Sequence, residues 1–243
     1  MRMDQMLIGS LADHRMSITQ ALAEASSKNC VDRGDAIVAS FGEAAQLLFL
    51  WLKYLEESEA TGVADCLIHG VRAAANESAA CLCLGLVRPA LTSMRLELDL
   101  LLGWIYFKDH PKEWERVSET GDGYKLKTET IRYLSEHYPR FKDRFGILGS
   151  CAVRSTPEPY RLLSAHIHGQ SEYVLPLVTQ PSDIVGSAKQ QDEAIAIQAE
   201  CAEYLSDVLW SLYAERWASL DATVLKSLVG RFKTAEQKEK FFA

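Results

Sequence analysis

The residues best equipped for chemistry lie in the run Tyr160-Arg161-Leu162-Leu163-Ser164-Ala165-His166-Ile167-His168-Gly169. On a regular helix, Arg161 and His168 share a face, with Ser164 and Ala165 between them. His166 falls about 140° from Arg161 and one turn after Leu162. A histidine can take and return a proton near neutral pH, and an arginine offers a fixed fork of donors to a phosphate. Together they suit acid–base chemistry on a phosphodiester. The alternative is a polar pair that satisfies its neighbours within a packed bundle.

A second group is Arg88, Thr92, Arg95, Asp99 and Tyr106, which fall in one stripe of an otherwise apolar helix. Buried arginines must be paired, so this stripe is either a solvated face with Arg95 and Asp99 as an i,i+4 pair, or the lining of a polar pocket. In the pocket reading Arg88, Arg95, Asp99 and Tyr106 are joined by Tyr160 and Ser164. A third group, Arg140, Lys142 and Arg144, forms a local basic run able to hold an RNA backbone, although Phe141 and Phe145 among them also fit an ordinary amphipathic helix. The formal net charge of −7 weighs against a protein coated in phosphate contacts and leaves room for one basic groove.

The elements that must carry these groups read as helices throughout. Apolar residues at three- and four-residue steps predict helices over 4–28, 35–58, 63–75, 79–107 and 124–138, with breaks at Lys28 to Gly34, at Ala60-Thr61-Gly62 and at Asn76-Glu77-Ser78. Pro89 should kink the fourth of these or mark an irregular turn. Pro111 opens a short helix that stops at Gly121-Asp122-Gly123, and a basic segment follows over 139–149. A loop over 155–159 leads into a helix from Tyr160 to His168, stopped by Gly169. Residues 170–187 read as the longest loop, and 189–232 as helix broken near Ser219-Leu220-Asp221. No strand alternation, repeat or flexible linker interrupts this pattern, so the expected fold class is all-α.

The six cysteines, Cys30, Cys66, Cys81, Cys83, Cys151 and Cys201, lack paired C-x-x-C spacing and read as reduced thiols, with no metal site. The N-terminus lacks a signal-peptide pattern. The apolar stretch from Ala79 to Phe107 carries Arg88, Arg95, Glu97 and Asp99, so it is expected to be a buried helix and not a membrane span. A cytoplasmic location follows as the expectation. No glycine-rich phosphate loop, zincin helix or paired catalytic carboxylates point to another class of enzyme.

The arginine and histidine spacing resembles the HEPN family of helical-bundle proteins, whose ribonuclease members carry an arginine and then a histidine after roughly four to six intervening residues. Here the pair is Arg161 with His166 or Arg161 with His168. The chain is similar, more specifically, to an uncharacterised HEPN-like group of bacterial helical proteins through Arg88, Tyr106-Phe107, Tyr160, Leu163-Ser164 and His168-Gly169. Thr92 stands where that group has a glutamate, and Leu162 stands where active nucleases carry a polar residue. The resemblance implies a HEPN-like bundle over 35–216, with an N-terminal helical appendage over 1–34 and a C-terminal helical extension over 217–243. It also implies metal-independent RNA cleavage in a bacterial defence or toxin system, with Arg161, His168 and His166 as catalytic candidates, no cofactor, and a homodimer that brings two copies of the helix together. A non-catalytic adaptor that binds a partner effector protein is the rival, favoured by the acidic charge and the apolar N-terminal helix.

Overall fold

Four apolar stripes organise the molecule. Ile37, Phe41, Ala45, Leu48, Leu52 and Leu55 recur at helical spacing, as do Ile68, Val71, Ala75 and Leu82, then Leu91, Met94, Leu98, Leu101 and Ile105, and finally Ala194, Cys201, Leu205 and Val208; all are buried. Their helices are α1 (Arg2–Tyr54), α2 (Cys66–Cys83), α3 (Val87–Phe107) and α8 (Ala188–Tyr213). In the computed structural model the backbone is described for residues 2–156, 158–170, 172–175 and 177–243, with side chains for the same residues except 2–16 and 173. The described residues hold no strand, and the protein is all-α.

Helix α2 packs on α3, and α1 packs on both α2 and α8. The seam between α1 and α8 is closed by Trp51, whose ring meets Trp210 edge to face at 5.3 Å while its Nε1 donates to Ser206 Oγ at 2.9 Å. Around this core lie α4 (Pro111–Thr120), α5 (Lys127–His137), α6 (Phe141–Cys151) and α7 (Pro159–His168). A 3-10 turn, Ala214–Ser219, leads to α9 (Ala222–Val229) and α10 (Ala235–Phe242). Val224, Leu228 and Phe241 of these last two helices are buried in the same core as α1 and α8. The expected C-terminal extension is therefore packed into the bundle.

Two expected breaks are corrected. Helix α1 runs without interruption through Lys28 to Gly34, so residues 17–34 and 35–54 belong to one helix. Asn29 in that run, and Ser26 just before it, do not turn the chain; they finish another helix. Ser26 Oγ donates to Leu84 O at 2.6 Å, and Asn29 Nδ2 donates to Cys83 O at 2.9 Å and Leu82 O at 3.3 Å, which satisfies carbonyls at the open end of α2. Helix α2 likewise continues through Asn76-Glu77-Ser78, because Ser78 is buried and bonds Ala74 O at 3.0 Å. The chain turns instead at Leu84-Gly85-Leu86, where Gly85 has φ of +79°. A Cβ on Gly85 would also meet Val185 at 2.5 Å. Pro89 sits in the first turn of α3, where a helix has no use for its missing N–H, so it kinks nothing.

The helical run Ser17–Glu59, which joins α1 to the π-helical turn Leu55–Glu59 after it, is long and apolar enough to cross a membrane by length and composition, and 33% of its most apolar window is buried inside the fold. Among the described residues no other helix meets that test.

Candidate functional site

Helix α7 is ten residues long and is bounded as its sequence dictates. Pro159 occupies the first turn, and Gly169 ends the helix in the left-handed conformation at φ +59°, its N–H reaching back to Ala165 O. So short a helix is held by tertiary contacts more than by propensity. Leu163 is fully buried in the core. Lys127 Nζ pairs with Glu158 Oε1 at 2.9 Å just before the first turn.

The central clamp is Arg95 of α3. Its guanidinium lies 3.4 Å from the centre of the Tyr160 ring, its Nε donates to Ser164 Oγ at 3.1 Å, and its Nη1 pairs with Asp99 one turn along. The Arg95 side chain is only 11% exposed. Arg95, Asp99, Tyr160 and Ser164 thus fill the seam between α3 and α7, and the arginine of the i,i+4 pair is largely shielded from water while its carboxylate is partly exposed. Burial, and then the Asp99 charge, push the Tyr160 phenol above its ordinary pKa. Behind Asp99, Tyr124 Oη donates to its backbone carbonyl at 3.0 Å. That approach requires Gly103, since a Cβ there would meet Tyr124 Oη at 2.1 Å.

With its inner face committed to α3, α7 turns Arg161 and His168 outward. Both are exposed, and neither has a hydrogen-bond or ion-pair partner among the described residues. His166 is half-buried, and burial followed by the charge of Arg88 lowers its pKa, disfavouring the charged imidazolium. Arg88 itself donates from Nη1 to Val174 O at 3.1 Å, tying the segment after α7 to α3. Tyr106 lies apart from this group: its ring stacks on His110 at 4.0 Å and its hydroxyl donates to Glu113 at 3.0 Å.

The expected basic run is corrected. Arg144 is buried, donating from Nε to Phe241 O at 3.2 Å and from Nη2 to Glu215 Oε1 at 3.3 Å. Arg140 donates to Lys240 O at 2.6 Å. The last carbonyls of α10 have no partner within their own helix, and these two guanidiniums supply one. Lys142 alone of the three remains exposed without a partner among the described residues.

Two polar groups in the core went unanticipated. Glu97 is fully buried among the apolar residues of α3, with Gln198 Nε2 donating to it at 2.8 Å and Ser78 Oγ at 3.3 Å. Burial lifts its carboxyl to about 8, against the pull of those two hydrogen bonds. The sequence signal was a carboxylate between Met94, Leu98 and Leu101 on the buried stripe. The second group joins Arg154 and Arg231 to Glu203 and the fully buried Asp207.

Glu97 carries a pH prediction. Between 4.5 and about 8 the folded protein holds a proton that the unfolded chain has released. Stability therefore falls as pH rises through that window, by up to about 1.4 kcal/mol per pH unit from this group. Glu97→Gln, which keeps the shape and removes the titration, should flatten that part of the slope in urea denaturation run from about pH 5 to pH 8. An unchanged slope in the variant would show that Glu97 is charged in its pocket.

The six cysteines are free thiols, Cys30 and Cys66 exposed and Cys151 and Cys201 buried, and the described residues contain no group of three or more potential metal-ligating side chains. No family model, curated protein or solved structure matches this chain.

Proposed function

We propose that the protein is a HEPN-like, metal-independent endoribonuclease of a bacterial defence or toxin system, with α7 as the catalytic helix. The observation that carries this reading is the two-sided use of α7: its inner face is pinned by Arg95, Leu163 and Ser164, while Arg161 and His168 are exposed and have no partner among the described residues. A side chain that spends nothing on the fold is free for a substrate. In the reaction, His168 takes the proton of a ribose 2′-OH, that oxygen attacks the adjacent phosphorus, and Arg161 holds the charge that gathers on the phosphate oxygens. The 5′-oxygen leaves with a proton, and the products carry a 2′,3′-cyclic phosphate and a 5′-hydroxyl. The second α7 of a homodimer supplies the donor for the leaving oxygen, since one protomer has a single His168.

Incubation of the purified protein with a mixed RNA pool and a chelator tests this directly. Cleavage that leaves cyclic-phosphate ends is expected, as is a dimer by sedimentation at micromolar concentration. A monomer that cuts would remove the two-chain site.

The competing reading, a non-catalytic subunit that binds a partner effector, draws on α1. Val31 and Val38 lie seven residues apart on one face and are 84% and 57% exposed, a pattern suited to a partner helix. Protein that cuts no RNA, alone or with a co-expressed partner, would favour it.

A further inference from the structure

Helices α9 and α10 and the 3-10 turn before them enclose a groove of about 560 Å³ that lies apart from α7. That volume is in the range of sites that take small organic molecules. One wall is apolar: Trp217, Leu225, Val229 and Phe242 line it, and Trp217 and Val229 are left 49% and 38% exposed. Large side chains at a concave surface lose that water when an apolar body enters.

The polar end of the groove is cationic. Arg144 and Lys238 both line it, against the single carboxylate of Glu215. Arg144 is 4% exposed, whereas the Glu215 side chain that faces it across 3.3 Å is 81% exposed. Inside the fold its Nε is met by the uncharged backbone carbonyl of Phe241, so among the described residues its one countercharge is Glu215, which reaches it from the solvent side. Its carboxylate is held by one contact and can swing away at small cost.

We infer that this groove binds a small apolar monocarboxylate, its carboxylate displacing Glu215 at Arg144 with help from Lys238, and its hydrocarbon body lying on Trp217, Leu225, Val229 and Phe242. The charge sets the ligand class: a neutral or cationic amphiphile leaves Arg144 as it is, while an anion gives it a sheltered, charge-assisted partner. The volume sets the size, a hydrocarbon body of medium length.

The test is isothermal titration of the full chain with decanoate, and with 1-decanol as the uncharged control, both below their aggregation limits. Decanoate should bind at one saturable site, with decanol at least about tenfold weaker. Val229→Trp, which fills the groove, should abolish binding in a protein whose helix content and melting temperature are retained. Lys238→Ala should weaken decanoate several-fold. Glu215→Gln should tighten it by about threefold or more, because the competing carboxylate is gone. That last variant changes an exposed side chain and keeps the proposal testable if Val229→Trp fails to fold. No saturable binding, equal affinity for decanol, or indifference to Glu215→Gln would each overturn the proposal. So would a wild-type dimer that Val229→Trp converts to monomer, since the occupant would then be a second copy of the chain.

Discussion

His168→Ala and Arg161→Ala should each lower RNA cleavage by on the order of a hundredfold while leaving the melting temperature unchanged. The first loses the base that takes the 2′-OH proton and the second loses the group that holds the phosphate. Neither side chain has a hydrogen-bond or ion-pair partner among the described residues, so neither substitution removes a described interaction that stabilises the fold. His166→Ala should be milder in rate, because that residue faces inward and its loss is one of packing. Arg95→Met offers the contrast: it releases Tyr160, Ser164 and Asp99 together, so activity and stability should fall in step. The measurement is initial cleavage rate on one RNA with melting temperatures alongside. Equal activity in folded wild type and folded His168→Ala would refute its role, and an unchanged rate in Arg161→Ala would leave the phosphate to another cation.

The largest stability effect is expected at Asp207. This carboxylate is fully buried and accepts from Arg154 Nη1 at 2.7 Å and from both terminal nitrogens of Arg231, while Glu203 meets the same two arginines at 3.0 and 3.1 Å. Two positive and two negative groups balance. Asp207→Ala leaves two nearly buried guanidiniums with one carboxylate, and breaking such a network costs about 3–5 kcal/mol. For a chain of this size that lowers the melting temperature by roughly 10 °C. Because the network is shielded, the loss should persist in high salt, where an exposed pair such as Lys28 and Asp32 would already be screened. A loss under about 1 kcal/mol would show that water reaches the cluster.

That network also bears on the proposed site. Glu200, Glu203 and Asp207 follow one another along α8 at helical spacing, and all three reach the segment that leads into α7. Glu200 accepts from Ser155 N at 2.9 Å and Thr156 N at 3.3 Å, while Glu203 and Asp207 hold Arg154. Helix α7 is therefore fixed at its start by α8 and along its length by α3. A milder variant, Glu200→Gln, weakens only the start and should show whether the position of α7 limits cleavage.

Features that depend on neighbours within a turn or two of helix are legible in the order of residues alone. The all-helical class follows from apolar residues at three- and four-residue steps in every major segment. Pro159 and Gly169 bound α7, Gly121 ends α4, and Arg95 meets Asp99, because first-turn prolines, left-handed glycines and i,i+4 pairs act through the local backbone.

The rest waits for the packing of the helices, because the partners lie far apart along the chain. Asn29 looks like part of a helix break until the end of α2 is placed beside it, more than fifty residues on, and its amide, like the hydroxyl of Ser26, is drawn to those carbonyls. Arg140 and Arg144 look like a nucleic-acid patch until α10, about a hundred residues away, presents its own unpaired carbonyls. Glu97 and Asp207 are ordinary letters in a helix until burial raises the carboxyl of one and closes an ion network around the other. A polar side chain takes the strongest unmet partner within reach, and which partners are within reach is fixed only when the helices pack.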